Sequence, residues 1–211
     1  MKIIRVVLYT LAIAAVAFLC FYRFWFLRQP QRNIPNNASV FVSPANGKVV
    51  SVKKWTASTI VEPKGAKGAI KVWTGDVDTA GTIVSIQMTP MDVHYQRAPQ
   101  TGKVISELYT KGDFNNAIVM SNDYGIRFEN EHNEIVFETN TGTRYKIIQI
   151  AGFVARRIED YVQPKQEVKQ GEVVGLIKLG SQVTVIFPST VEVTVKPGDV
   201  TVDGETVIGK E

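Results

Sequence analysis

Leu176-Ile177-Lys178-Leu179-Gly180-Ser181-Gln182-Val183-Thr184-Val185-Ile186-Phe187-Pro188 holds a Gly-Ser pair between two apolar, β-branched runs. Side chains branched at Cβ suit a pleated surface, and glycine permits a sharp change of direction. The stretch therefore predicts a tight bend joining two strands. The same pattern repeats outward from it. Short Val/Ile/Thr-rich runs, separated by Gly-containing turns, occupy residues 47–52, 82–86, 103–105, 117–120, 135–137, 145–150, 173–177 and 191–195. Beyond residue 40 no long amphipathic helix is legible, and residues 153–161 predict one short helix. The expected fold is mainly β: a barrel-sandwich-like antiparallel domain over residues 40–211.

A weak internal repeat supports that architecture. Pro44-Ala45-Asn46-Gly47-Lys48-Val49 and Pro99-Gln100-Thr101-Gly102-Lys103-Val104 share a Pro-x-x-Gly-Lys-Val pattern. Lys111-Gly112-Asp113-Phe114 and Lys169-Gln170-Gly171-Glu172-Val173 resemble turn-plus-strand units of lipoyl and biotinyl carriers. No lysine occupies the usual hairpin tip, so a carrier function is not implied.

Ahead of the domain, residues 6–22 form an uncharged apolar run, followed by Arg23 and then Phe24-Trp25-Phe26-Leu27. Its length, with aromatics at the interface, predicts a membrane anchor over residues 1–29. The charged and aromatic residues from Arg23 onward stand where a signal peptide would need small residues for cleavage. Positive charge is in excess on the C-terminal side (Arg23, Arg28, Arg32, then Lys48, Lys53 and Lys54), which places the domain in the cytoplasm at the cell membrane. Residues 30–39, rich in proline and asparagine, read as a linker.

Composition narrows the function. The chain has 211 residues, 45% of them hydrophobic, and a formal charge of +4, enough for a real core. No Lys/Arg run with interleaved aromatics points to nucleic acid, and an anionic membrane surface suits this charge better. A single cysteine, Cys20, excludes an internal disulfide. Two histidines, His94 and His132, without clustered ligands, give no metal site. No phosphate-binding loop or hydrolase elbow is present. An enzyme of this composition has to build its electrophile from its own chain.

Gly180-Ser181 offers that route: a serine hydroxyl can attack the preceding carbonyl where the bond is strained and a base takes the proton. Three further segments accompany it: Phe24-Trp25-Phe26-Leu27-Arg28-Gln29-Pro30-Gln31-Arg32-Asn33-Ile34-Pro35, Met91-Asp92-Val93-His94-Tyr95-Gln96-Arg97-Ala98-Pro99 and Ile150-Ala151-Gly152-Phe153-Val154-Ala155-Arg156-Arg157-Ile158. In this order, over about residues 24–188, they resemble the short, pyruvoyl-dependent form of phosphatidylserine decarboxylase.

The resemblance implies self-cleavage between Gly180 and Ser181, leaving residues 1–180 and a small chain of 181–211 held together by the shared sheet. It implies a pyruvoyl group derived from Ser181, a phospholipid substrate at a membrane, and often a homodimer. His94 matches the acid/base histidine of the family's Asp-x-His-x-x-His-x-Pro motif, with Asp92, Arg97 and Pro99 at its other positions. Arg97 stands where the longer form has a second histidine, and a bidentate contact to substrate phosphate or carboxylate is open to it. Asn46 departs from the family's self-cleavage aspartate. In a Ser-His-Asp triad the same exchange costs ~10⁴ in rate. Three readings of Asn46 stand: an uncut, lipid-binding homologue or arrested precursor; another carboxylate such as Asp92 in its place; or deamidation at Asn46-Gly47. His132 lies in Glu129-Asn130-Glu131-His132-Asn133, read as a loop near the site, and Arg156-Arg157 suit either solvent or lipid phosphate. From a different class, a membrane-anchored barrel-sandwich adaptor would need a long helical hairpin, which this chain lacks.

Overall fold

The computed structural model describes residues 2–35, 37–56, 58–64, 68–119, 126–152, 157–178 and 182–211. Helix α1 (Lys2–Cys20) continues into a π-helical turn (Phe21–Phe26). Together they make 25 residues, Lys2–Phe26, about 37 Å at 1.5 Å per residue. The unit is long and apolar enough to cross a bilayer. No residue of α1 is buried by protein.

The remainder is β. The first strands are β1 (Val40–Val42), β2 (Gly47–Trp55), β3 (Thr59–Lys64), β4 (Gly68–Trp73), β5 (Gly81–Gln87) and β6 (Tyr95–Arg97). Then come β7 (Gly102–Thr110), β8 (Asp113–Val119), β9 (Ile126–Glu129), β10 (His132–Thr139), β11 (Arg144–Ile150) and β12 (Arg157–Asp160). The last are β13 (Glu167–Val168), β14 (Val173–Lys178), β15 (Gln182–Pro188), β16 (Glu192–Val193), β17 (Val200–Thr201) and β18 (Val207–Lys210). A curled sheet of eight strands, β13-β7-β10-β11-β15-β5-β2-β17, is the spine. Two three-stranded sheets, β1-β18-β16 and β12-β14-β6, and a four-stranded one, β3-β4-β9-β8, complete the domain.

Period-2 alternation decides what each face buries. In β15, Val183, Val185 and Phe187 enter the main core with Ile135, Phe137, Tyr145 and Ile147, while Ile186 faces a second cluster of Trp55, Ile70, Val72 and Ile148. The main core also holds Ala98, Val174, Ile177, Val191 and Ile208, so the two small sheets close over that face. The stretch 176–188 is therefore not a simple hairpin. Its first run pairs with β12 and β6; its second lies between β11 and β5. The chain changes layers there.

The two Pro-x-x-Gly-Lys-Val segments prove equivalent, each opening a nine-residue strand, β2 and β7. At both Gly47 and Gly102 a Cβ would come within 2.3 Å of a neighbouring strand's carbonyl oxygen, of Gln87 and Glu138 respectively. Glycine is what lets the strands approach.

Two expectations fail. Of the short helix expected over residues 153–161, the described part is not helical: Arg157–Asp160 is strand β12, paired antiparallel with Gly175–Lys178, and residues 153–156 lie outside the described residues. Strand pairing lets Ile158 pack on the core while Glu159 reaches the Lys178 ammonium. A nine-residue helix would offer those groups little, since short isolated helices are marginal. His132 likewise is the first residue of β10 rather than a loop residue.

Residues 30–35 and 37–39 lie along the domain. Gln100 Nε2 donates to the carbonyls of Asn37, Ala38 and Val40; Asn33 N–H donates to Glu205 Oε1 at 2.9 Å; Arg32 pairs with Asp203.

Candidate active site

The eight-stranded sheet carries one transverse row at which Thr110, His132, Ile150, Gln182, Gln87, Lys48 and Val200 stand side by side in register. Gln182 directly follows Ser181, so this end of the sheet is where the predicted cleavage bond joins the fold. Gly180 and Ser181 themselves lie outside the described residues.

His94 is tied to both flanks of that bond. On one side its carbonyl accepts the Ile177 N–H at 3.2 Å, three residues before Gly180. On the other, Gln96 Nε2 donates to the His94 carbonyl (2.6 Å) and Gln149 Nε2 donates to Gln96 Oε1 (2.8 Å). Gln149 pairs with Val183, two residues after Ser181. His94, Gln96 and Gln149 are all fully buried, where a satisfied amide chain fixes geometry because breaking any link strands a polar group.

The imidazole is set up for proton transfer. Nδ1 lies 2.9 Å from the Asp92 carbonyl oxygen, so Nδ1–H donates there and the neutral ring keeps its lone pair on Nε2. Among the described residues that buried Nε2 has no hydrogen-bond partner. Burial pushes the His94 pKa below the ordinary histidine value; the Asp92 carbonyl and carboxylate oppose the shift, and Arg28 adds to it. The Asp92 carboxylate turns away from the ring, accepting from the N–H and hydroxyl of Thr89, both at 2.7 Å.

Asn46 and Arg97 come together elsewhere, around a residue that sequence reading passed over. Fully buried Asp203 accepts from Arg97 Nε at 2.6 Å and from Arg32. Asn46 Oδ1 accepts the Asp203 N–H at 2.8 Å and Arg32 Nη2 at 3.1 Å. Arg97 Nη1 donates to the Gly171 carbonyl at 2.8 Å, so its guanidinium is engaged within the protein. The carboxylate of this cluster is supplied by the C-terminal segment.

A second polar layer lies under the β3–β4 hairpin, on the opposite sheet face. Lys146 Nζ meets Glu134 (2.7 Å), Asp76 (2.8 Å) and the Trp73 carbonyl (2.6 Å). His132 Nε2 lies 3.6 Å from Glu134 and its Nδ1 2.8 Å from the Asn130 carbonyl. Buried Glu62 accepts from Ser85 and, at 3.5 Å, from Gln182. The missed Gln96 and Gln149 did leave a trace: each is a lone amide in a short strand, Gln149 within Tyr145-Lys146-Ile147-Ile148-Gln149-Ile150.

The profile of the family described as phosphatidylserine decarboxylase matches residues 19–209. The chain belongs to the phosphatidylserine decarboxylase family. It is 37% identical to a phosphatidylserine decarboxylase proenzyme of Chlorobaculum parvum over 199 residues, 94% of this chain and 82% of that one. The proenzyme of Desulfotalea psychrophila is 33% identical over 189 residues, covering 90% and 79%. That of Pelobacter propionicus is 34% identical over 209 residues, covering 99% and 85%. Phosphatidylserine decarboxylases are lyases, and the relatives' names mark them as proenzymes. His94 therefore sits in a chain of a carbon–carbon lyase family.

Proposed function

We propose that this chain decarboxylates phosphatidylserine to phosphatidylethanolamine after cutting itself between Gly180 and Ser181. The observation that carries the reading is His94: buried, its Nδ1–H held, its Nε2 without a hydrogen-bond partner among the described residues, and its backbone fastened to both flanks of the Gly180–Ser181 bond. In maturation the Ser181 hydroxyl attacks the Gly180 carbonyl and the amide becomes an ester. Elimination then frees residues 1–180 with a Gly180 carboxylate, and hydrolysis of the resulting dehydroalanine releases ammonia.

The described flanks fit a pyruvoyl group at position 181, because the buried His94 Nε2 has no hydrogen-bond partner among the described residues. Such a group would supply a ketone that takes up the substrate amine and accepts the electron pair left when CO2 departs. The chain's own residues do the remainder. The Asp92 carbonyl fixes the tautomer, the Gln149–Gln96 bridge fixes the backbone, and Nε2, unprotonated in the resting ring, takes a proton as the substrate ammonium is converted to its free amine and later gives that proton to the carbon that loses the carboxyl. Burial keeps the ring neutral at physiological pH, so Nε2 can accept a proton before returning it. The anchor brings the headgroup and this site to one surface, with the domain on the cytoplasmic side, and a second copy of the chain is a further partner.

Asn46 supports a second reading, an arrested precursor, since the residue at the family's carboxylate position is an amide occupied by Arg32 and the Asp203 N–H. The intact mass of the denatured protein separates the two. Two chains meeting between Gly180 and Ser181, the smaller lacking its N-terminal amine, support the decarboxylase. One uncut chain that Asn46→Asp converts to two establishes the precursor.

A further inference from the structure

Among the described residues 2–26, Phe26 alone is buried. It ends the π-helical turn, the kind of local widening that inserts an extra residue and re-aims the side chains after it. Its ring lies 4.1 Å from the His94 ring, centroid to centroid, at 33°. Behind it Tyr22 stacks at 5.4 Å and Phe18 beyond at 6.3 Å. The i, i+4 spacing of these aromatics makes one column of rings from the apolar helix to the imidazole. Arg28 pins the junction, donating to the Met91 carbonyl (2.6 Å) and the Trp25 carbonyl (2.8 Å) while lying over the Trp25 ring at 4.5 Å. Around it Phe24, Trp25 and Met91 stay largely exposed, an apolar collar of the kind that sits at a bilayer interface. The loop bearing His94 is thus fastened to the membrane end of the anchor.

We propose that Phe26 is a positioning residue for decarboxylation: the anchor's last turn is a wall of the active site, and the Phe26 ring orients the His94 imidazole and shields Nε2 from water. The inference rests on His94 being the acid/base of the proposed reaction. It makes attachment to the anchor part of the site's construction as well as a means of reaching lipid. The headgroup would meet Nε2 beside the anchor, where the apolar collar receives the acyl chains.

The test uses the full chain in phosphatidylcholine bilayer discs, as Phe26→Ala and Phe26→Leu. Diethyl pyrocarbonate labelling of His94, read by peptide mass, reports shielding in precursor and matured protein alike, and buried His132 is the internal control for the fold. Phe26→Ala should raise His94 labelling about tenfold with His132 still protected, and lower kcat about tenfold with little change in KM, a positional loss. Phe26→Leu refills the volume without a ring face; it should keep most of the shielding yet lose several-fold in kcat. Unchanged His94 labelling in Phe26→Ala overturns the wall. Should Phe26→Ala expose His132 too, Phe26→Leu carries the test, and wild-type labelling together with wild-type kcat there overturns the orienting role. Raised labelling with full kcat would leave the wall standing and sink the acid/base reading of His94 instead.

Discussion

Replacing Asp203 by Asn removes one buried negative charge from between two guanidinium groups. The side chain of Asp203 is fully buried, while those of Arg32 and Arg97 are each 11% exposed. Breaking a buried pair by deleting one partner costs ~3–5 kcal/mol, because the remaining charge stays desolvated. The partial exposure of both arginines places this case near the lower end, at about 3 kcal/mol. For a chain of this size each kcal/mol moves Tm by ~2–4 °C, so Asp203→Asn should melt about 6–12 °C below wild type. Scanning calorimetry of the detergent-solubilised protein at one fixed scan rate is the assay, since the midpoint of an irreversible transition depends on scan rate. Adding Arg97→Met should recover part of the loss, because one orphaned charge leaves with its partner. A shift of less than about 3 °C would refute the view that this carboxylate clamps the linker and the Arg97 strand to the C-terminal segment.

Two further outcomes follow from particular contacts. Burial raises the Glu62 pKa above its ordinary 4.5, with Ser85 and Lys53 opposing. A raised folded-state pKa means that this group's stabilisation is complete below pH 4.5 and is lost as pH rises through the folded value. Glu62→Gln should therefore melt higher than wild type at pH 8 and converge with it near pH 4, and parallel melting curves across that range would contradict the assignment. At Gly175 a Cβ would lie 2.4 Å from Gln149 Nε2 and 2.8 Å from the Glu159 carbonyl. Gly175→Ala should break the Gln149–Gln96 bridge and lower kcat about tenfold with KM nearly unchanged; steady-state CO2 release measures both, and an unaffected kcat removes the bridge from the mechanism.

Much was legible along the chain because the signals are local. Period-2 runs such as Val183-Thr184-Val185-Ile186-Phe187 mark strands directly, since adjacent side chains in a strand face opposite ways. The Pro-x-x-Gly-Lys-Val echo pointed to two equivalent strand starts, and both exist. Segments with weaker alternation were missed: the β3–β4 hairpin interrupts its apolar residues with Glu62, Pro63 and Lys64, and Arg157-Ile158-Glu159-Asp160 offers one apolar residue in four. Its strand state depends on a partner, β14, that is distant in sequence.

By itself the sequence determined the apolar N-terminal stretch, the β class and the family resemblance, and it nominated His94 and Ser181 for the chemistry; all of these rest on spacing and residue type. Tertiary structure alone decided how those pieces meet. That Asp203 faces Asn46 and Arg97, that Gln149 links the β15 side of the predicted cut to His94, and that Phe26 covers the imidazole are contacts across 53 to 157 positions of chain or between a helix and a β domain. No local pattern encodes them. Each exists because a buried charge, amide or ring has to find its partner wherever the folded backbone brings one within reach.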